Sequence, residues 1–333
     1  MSKFLSLTLL SLLLVVSCSE TTSQKNASNS SSIRIIAEEA GGGWYAYATT
    51  MSKILQDNNI TLNVIPRGGS IANPSVVDRK EADLGFTTLN AASWAETGGN
   101  IYKGQTHTNI RGVLAGFSVG YELLLARRAY VEKTGNDSLE KMVGNNNPAK
   151  FITEPQGSQD PIIAEAMLYA VGTSVSNLRS QNRFIQVGSS QIAQQLRDGL
   201  VDAVFINAPV NHPTTSEINL TSDIVFIPLS EKIVSELENI GMPKVVLTNK
   251  AYSSLNQDYP TGGSISIIIA NADTDEDIVY NFTKIMIENI EYLRREHGAL
   301  QSWNPEEGAK LMSEILDLHP GALKYYKEVG WIE

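Results

Sequence analysis

Cysteine is nearly absent. The 333-residue chain holds one, Cys18, so neither a disulfide framework nor a thiolate zinc site can be built from it. Histidine is scarce too: His107, His212, His297 and His319 are scattered and form no HExxH pair, which argues against a metal centre. Positive charge is outweighed, with 26 lysines and arginines against 36 aspartates and glutamates and a net charge of −10. That balance argues against nucleic acid, which calls for clustered Lys and Arg. Nucleophile settings are missing as well, with no G-x-S-x-G and no P-loop lysine, so catalysis is not expected. No cofactor is implied.

What is present begins with an apolar run after Lys3, FLSLTLLSLLLVV, too short to span a bilayer comfortably. It reads as a secretory signal segment over residues 1–17. The ending Leu14-Val15-Val16-Ser17-Cys18 resembles the bacterial lipobox, where the chain is cut before the cysteine and a diacylglycerol joins its sulfur. The expectation is an extracytoplasmic (periplasmic) protein anchored to a membrane through Cys18 rather than spanning it. A plain secreted protein with a free thiol is the alternative. Residues 18–32 are rich in Ser, Thr, Asn and Gln and read as a flexible tether, so the folded body is expected from Ile33.

The stretch that organises the body is AEEAGGGWYAYATTMSKIL, residues 37–55. An apolar strand from Ile33 feeds three glycines, Gly41-Gly42-Gly43, and a helical pattern follows. Backbone N–H groups at such a helix start favour a negative or strongly polar guest. Strand-like runs recur at Thr61–Ile65, Asp83–Thr87, Ile110–Ala115, Tyr121–Ala126, Lys150–Thr153, Phe184–Val187, Ile224–Ile227 and Ser264–Ala270, most of them separated by helical segments. This alternation predicts an α/β sheet covered by helices. Asn73 and Pro74 read as the cap and first position of one helix. Two strands without an intervening helix near 110–126 mark a crossing between lobes, and 224–227 a return. Residues 68–86 and 188–205 echo each other as glycine-serine loop, helix and strand, which suits two similar lobes. The last sixty residues read as two helical segments, 273–297 and 305–330.

Gly41-Gly42-Gly43-Trp44-Tyr45-Ala46 also fits the dinucleotide fingerprint G-x-G-x-x-A, with Pro66-Arg67 at the next strand end suiting a 2′-phosphate. Bulky Trp44 and Tyr45 would crowd a pyrophosphate, and an exported protein meets no pool of that cofactor. Loops rich in Gly, Ser, Asn, Thr and Tyr instead suit hydrogen bonding to a small polar molecule.

Several motifs, in order, resemble one family. Gly42-Gly43-Trp44-Tyr45 is similar to a GG-x-YY loop, and Gly69-Ser70-Ile71-Ala72-Asn73 to GS-x-x-N. Glu81-Ala82-Asp83-Leu84-Gly85-Phe86, Gln156-Gly157-Ser158, Asp198–Phe205 and His319–Tyr326 follow in order. Together they resemble the TAXI-type solute receptors of TRAP transporters. The resemblance implies an α/β, two-lobed periplasmic-binding-protein architecture (type II, Venus-flytrap) with helices on both faces of each sheet. It places lobe 1 at 33–118 and 228–333, lobe 2 at 119–227, and hinges near 117–121 and 225–228.

The implied function is capture of a small carboxylate-bearing solute, an amino acid such as glutamate or a 2-oxo or dicarboxylic acid, and its delivery to TRAP permease subunits by a monomeric receptor. The implied ligand-binding residues are Gly43, Tyr45, Ser70, Asn73, Thr88 and Asn90 from one lobe and Ser158, Gln159 and Asn207 from the other. Arg67 is the expected partner of the ligand carboxylate, while Asp160, at a helix start, would suit an amine on the same ligand. Each has a plainer role open to it: Asn73 as a cap, Ser158 as a turn residue, Tyr45 as a lid on the core, Arg67 as a solvated surface cation. A sensor receptor signalling through a membrane partner is the alternative function, with an NADP-dependent enzyme third.

Overall fold

The apolar runs form strands, and the strands join into one sheet. The computed structural model describes residues 31–144 and 146–333. Cys18 and the expected signal segment lie outside the described residues. The chain opens with β1 (Ser31–Ile36), in which Ser31 and Ser32, expected in the tether, pair with Ile60 and Thr61. There follow α1 (Gly43–Gln56), β2 (Ile60–Ile65), α2 (Ala72–Asp78), β3 (Leu84–Thr88), α3 (Leu89–Thr97) and β4 (Ile110–Leu114). The middle of the chain runs β5 (Val119–Arg127), α4 (Arg128–Thr134), α5 (Leu139–Val143), β6 (Phe151–Thr153), α6 (Asp160–Ala170) and α7 (Val175–Ser180). It continues through β7 (Phe184–Gln186), α8 (Ser189–Arg197), β8 (Ala203–Ala208), α9 (Pro213–Thr221) and β9 (Ile224–Phe226). Next come α10 (Glu231–Asn239), β10 (Lys244–Leu247) and β11 (Tyr259–Asn271). Four helices close the chain: α11 (Glu276–Glu288), α12 (Ile290–Glu296), α13 (Pro305–Ser313) and α14 (Pro320–Glu328). The expected helix over 305–330 is thus two, because Pro320 starts a second helix whose first turn is capped by the His319 side chain.

Strand order along the sheet is β2-β1-β3-β11-β5-β8-β6-β7. β4 and β10 add to β11, and β9 adds to β5. The thirteen-residue β11 ties the two halves together. Its residues 266–270 pair with β3, and its residues 263–265 pair with β5.

Hydrophobic packing divides in the same place. One core draws on residues 33–117 and 267–326. Two others draw on 123–259 and lie on opposite faces of the β5–β8–β6 sheet. Strand alternation produces that division: Leu124, Phe151 and Phe205 point to one face, while Leu123, Leu125, Ile152, Val204 and Ile206 point to the other. Ile163, Met167, Ile233 and Leu237 of α6 and α10 cover the first face; Ile192, Leu196 and Ile218 of α8 and α9 cover the second.

Segment 228–259 therefore packs with the 123–227 segment, not with the first half of the chain as expected. β9 pairs antiparallel with β5, which keeps the chain in that half until β11 carries it back. The return lies near residue 265, where β11 changes partner from β5 to β3, and not at 225–228.

Candidate functional site

In an open α/β sheet, ligand crevices form beyond the carboxyl ends of strands. Four such ends converge here. Glu38 follows β1, Thr88 ends β3, Glu154 follows β6, and Asn207 lies near the end of β8. They line a chamber of about 50 Å³ together with Trp44, Tyr47, Ser70, Ser158, Asp160 and His212. Ser118, Gly120 and Ser266, on the crossing segments, complete its wall. On the same measure, one water needs roughly 10–15 Å³, so the chamber has room for a few waters.

Its electrostatics are one-sided. Among the described residues, Glu38, Glu154 and Asp160 line the wall and no lysine or arginine does. Each carboxylate sits beside a helix start. Glu38 accepts the Trp44 N–H of α1 at 2.5 Å, filling the N-terminus that the glycine-rich turn was expected to offer to a guest. Asp160 is the first residue of α6, and Glu154 accepts from the hydroxyl of Ser189, the first residue of α8, at 2.6 Å. Burial, reinforced by repulsion from Glu154 and opposed by the α1 N–H groups, pushes the Glu38 carboxyl up to about 8. Burial likewise raises Glu154, and raises Asp160 well above the usual carboxylate range with help from the charges of Glu154 and Glu122. Fully buried Glu122, on β5, is raised by burial in the same way. Burial pulls His212 down to about 4, so it is neutral at pH 7. Among the described residues, Asp160 Oδ2, the Tyr47 hydroxyl and both Glu122 carboxylate oxygens have no hydrogen-bond partner.

Beside the chamber lies a neutral latch. The Gln159 amide oxygen accepts from Thr88 at 2.9 Å and from Asn90 at 3.2 Å. Its NH₂ donates to Asn207 at 3.1 Å and to Ser264 at 3.2 Å. Both donor hydrogens and both acceptor positions are used, and the contacts join the residue before α6 to β3 and α3 on one side and to β8 and β11 on the other. A second contact joins the same regions: the Gly157 carbonyl accepts from Ile71 N at 2.9 Å and Ala72 N at 3.1 Å. Gly69 makes that approach possible. Its φ is +147°, and a Cβ there would stand 2.6 Å from the Gly157 oxygen.

Of the residues expected to bind ligand, Ser70, Thr88, Ser158, Gln159 and Asn207 line the chamber. Gly43 stands just behind its wall, where a Cβ would come within 2.9 Å of His212 Nε2. Tyr45 is off the wall, its place taken by Trp44 and Tyr47 on the same helix. Asn90 reaches the latch, not the chamber wall. Asn73 is neither cap nor contact: it lies inside α2, fully buried, accepting from Gly69 N and donating to the carbonyls of Ala37 and Phe86. Its amide fastens β1, β3 and the β2–α2 loop together. Arg67 is exposed and off the wall, because it follows β2, the edge strand of the sheet.

The pattern of elements and the chamber at the strand ends invite comparison with known proteins. A model of the NMT1-like family matches residues 35–330. The chain belongs to the NMT1-like family. Among solved structures, one described as a periplasmic transporter is similar at a TM-score of 0.55 and 15% identity, covering 92% of this chain and 99% of that one. MatC from Rhodopseudomonas palustris, solved with bound malate, is similar at a TM-score of 0.55 and 13% identity, covering 90% and 98%. A protein of Bordetella bronchiseptica gives 0.52 and 13% identity, covering 91% and 90%. The α/β architecture of this NMT1-like chain is thus that of periplasmic binding proteins.

Sequence reasoning missed Glu38, Trp44, Tyr47, Glu154 and His212. A signal was there for two of them. Glu38 and Glu154 follow a strand by two residues and by one, at the edge where such folds bind ligands.

Proposed function

We propose that this NMT1-like protein is an extracytoplasmic solute receptor that holds a small molecule between two lobes and hands it to a TRAP-type, ion-coupled permease. The lobes are taken as the regions either side of the change of partner in β11. One observation carries the reading: the chamber wall comes from both regions, with Glu38, Ser70 and Thr88 facing Glu154, Asp160 and Asn207. A solute touching both binds the closed form more tightly than the open one, and that difference is what drives closure. The motif resemblance to TAXI receptors supports the permease as partner, and the lipobox-like ending Leu14-Val15-Val16-Ser17-Cys18 supports a lipid anchor on Cys18.

A carboxylate-bearing solute, such as glutamate or a malate-like dicarboxylic acid, is less well supported. It would enter among three carboxylates, and Arg67, its expected anchor, lies outside. Thermal-shift measurements on the full chain, against amino acids, sugars, amines and carboxylic acids, test the receptor reading. A true solute at 100 times its Kd adds about 2.7 kcal/mol to the folded state. A folded protein stabilised by no member of that panel would refute it.

A further inference from the structure

We propose that the chamber recognises its solute through a protonated amine, held between the carboxylates of Glu38, Glu154 and Asp160. The inference rests on the receptor reading and names the solute's chemical class. Three carboxylates meet in one small space with no lysine or arginine among the described lining residues. The helix starts that could have held an anion have the protein's own acidic side chains beside them: Glu38 on the Trp44 N–H of α1, Asp160 in the first turn of α6 and Glu154 on the hydroxyl of Ser189, the first residue of α8. His212 is neutral and brings no positive charge.

The second, independent observation is Asp160 itself. It is 3% exposed, lines the chamber, and among the described residues its Oδ2 has no hydrogen-bond partner. A buried carboxylate oxygen without a donor is costly unless a donor or cation arrives. An ammonium supplies both, with up to three N–H donors for three carboxylates. Trp44 and Tyr47 on the same wall add aromatic surface to which a cation is attracted.

The test is isothermal titration of the full chain with methylamine, ethanolamine, putrescine and agmatine. Glutarate, malate and ribose serve as anionic and neutral probes. The expected result is that at least one amine binds at least 100-fold more tightly than any acid or sugar, and that Asp160→Asn weakens it tenfold or more. Glu154→Gln carries the same expectation should Asp160→Asn not fold. Binding of an acid or of ribose with no amine bound would keep the receptor and overturn the amine. Tight amine binding indifferent to both substitutions would overturn this site for it. No binding by any probe of any class would overturn the receptor reading, and this inference with it.

Discussion

Gln159 and Asp160 are adjacent in sequence and face the same junction, yet they stand in opposite states. Gln159 has every hydrogen-bonding position filled by Thr88, Asn90, Asn207 and Ser264. Asp160, equally buried, keeps an oxygen without a partner among the described residues and sits among like charges. A satisfied neutral amide stabilises the closed arrangement whatever the pH, because nothing in it titrates. A cluster of buried carboxylates opposes closure unless it takes up protons or meets a cation. In the receptor reading proposed above, the two neighbours thus divide the work between holding the lobes together and making closure answer to a guest.

The largest effect that would break this contrast is on pH dependence. Facing Glu38 are Glu39 of its own turn, Tyr47 of α1, Glu154 after β6 and Asp160 of α6. With its carboxyl raised to about 8 against an ordinary 4.5, Glu38 stays protonated in the folded protein where the unfolded chain ionises. Its contribution is fully present below 4.5 and is lost as pH rises through about 8. Glu122, Glu154 and Asp160 act with the same sign. His212 acts the other way, lowering stability as pH falls from 6.5 to about 4, and the lowered His297 and His319 share its sign. The range from about 6.5 to 8 therefore isolates the carboxylates. There stability should fall by up to ~1.4 kcal/mol per pH unit for each group still taking part. Urea midpoints at the two ends should show this fall, made shallower by Glu38→Gln. An unchanged slope in that variant would mean that Glu38 takes no part in it.

Next in size is the latch. Gln159→Ala leaves Thr88, Asn90 and Asn207 short of partners and should destabilise the protein by about 1–2 kcal/mol. It should also raise the radius of gyration seen by small-angle scattering, while leaving the slope between pH 6.5 and 8 as in the parent. A variant as compact and as stable as the parent would show that Gln159 is not what holds the junction closed.

How much of this was legible in the sequence follows from how local each cause is. Strands such as Ile60–Ile65 and Leu84–Thr88 and the helix from Gly43 are written in short-range periodicity and glycine placement. The short polar residues at the strand ends, Thr88 and Asn207, and in the glycine-containing loops that follow strands, Ser70 and Ser158, could be found for the same reason. The return crossing could not. Ile224–Phe226 is a strand either way, and its pairing with β5 is decided by a partner about 100 residues distant. The guest expected at the α1 N-terminus is a different case. A helix N-terminus does favour a negative or strongly polar group, as expected for α1, but the group that takes that place is the Glu38 carboxyl, whose turn back onto Trp44 N is set by tertiary geometry.

Arg67 gives the smallest expected effect and the sharpest test of that last point. The sequence places it beside a glycine-serine loop whose Ser70 does reach the chamber, so a charge-pairing role was the natural reading. In the fold, β2 is the edge of the sheet and Arg67 is exposed beyond it, two residues short of Gly69, the first residue of that loop on the wall. An exposed side chain off the binding wall contributes little, so Arg67→Ala should change stability by no more than about 0.5 kcal/mol. It should leave the affinity for any bound amine unchanged, where Asp160→Asn does not. A tenfold loss of affinity in Arg67→Ala, read in the same titration, would return an arginine to the recognition of the solute. It would also require the β2–α2 loop to fold inward when the solute binds.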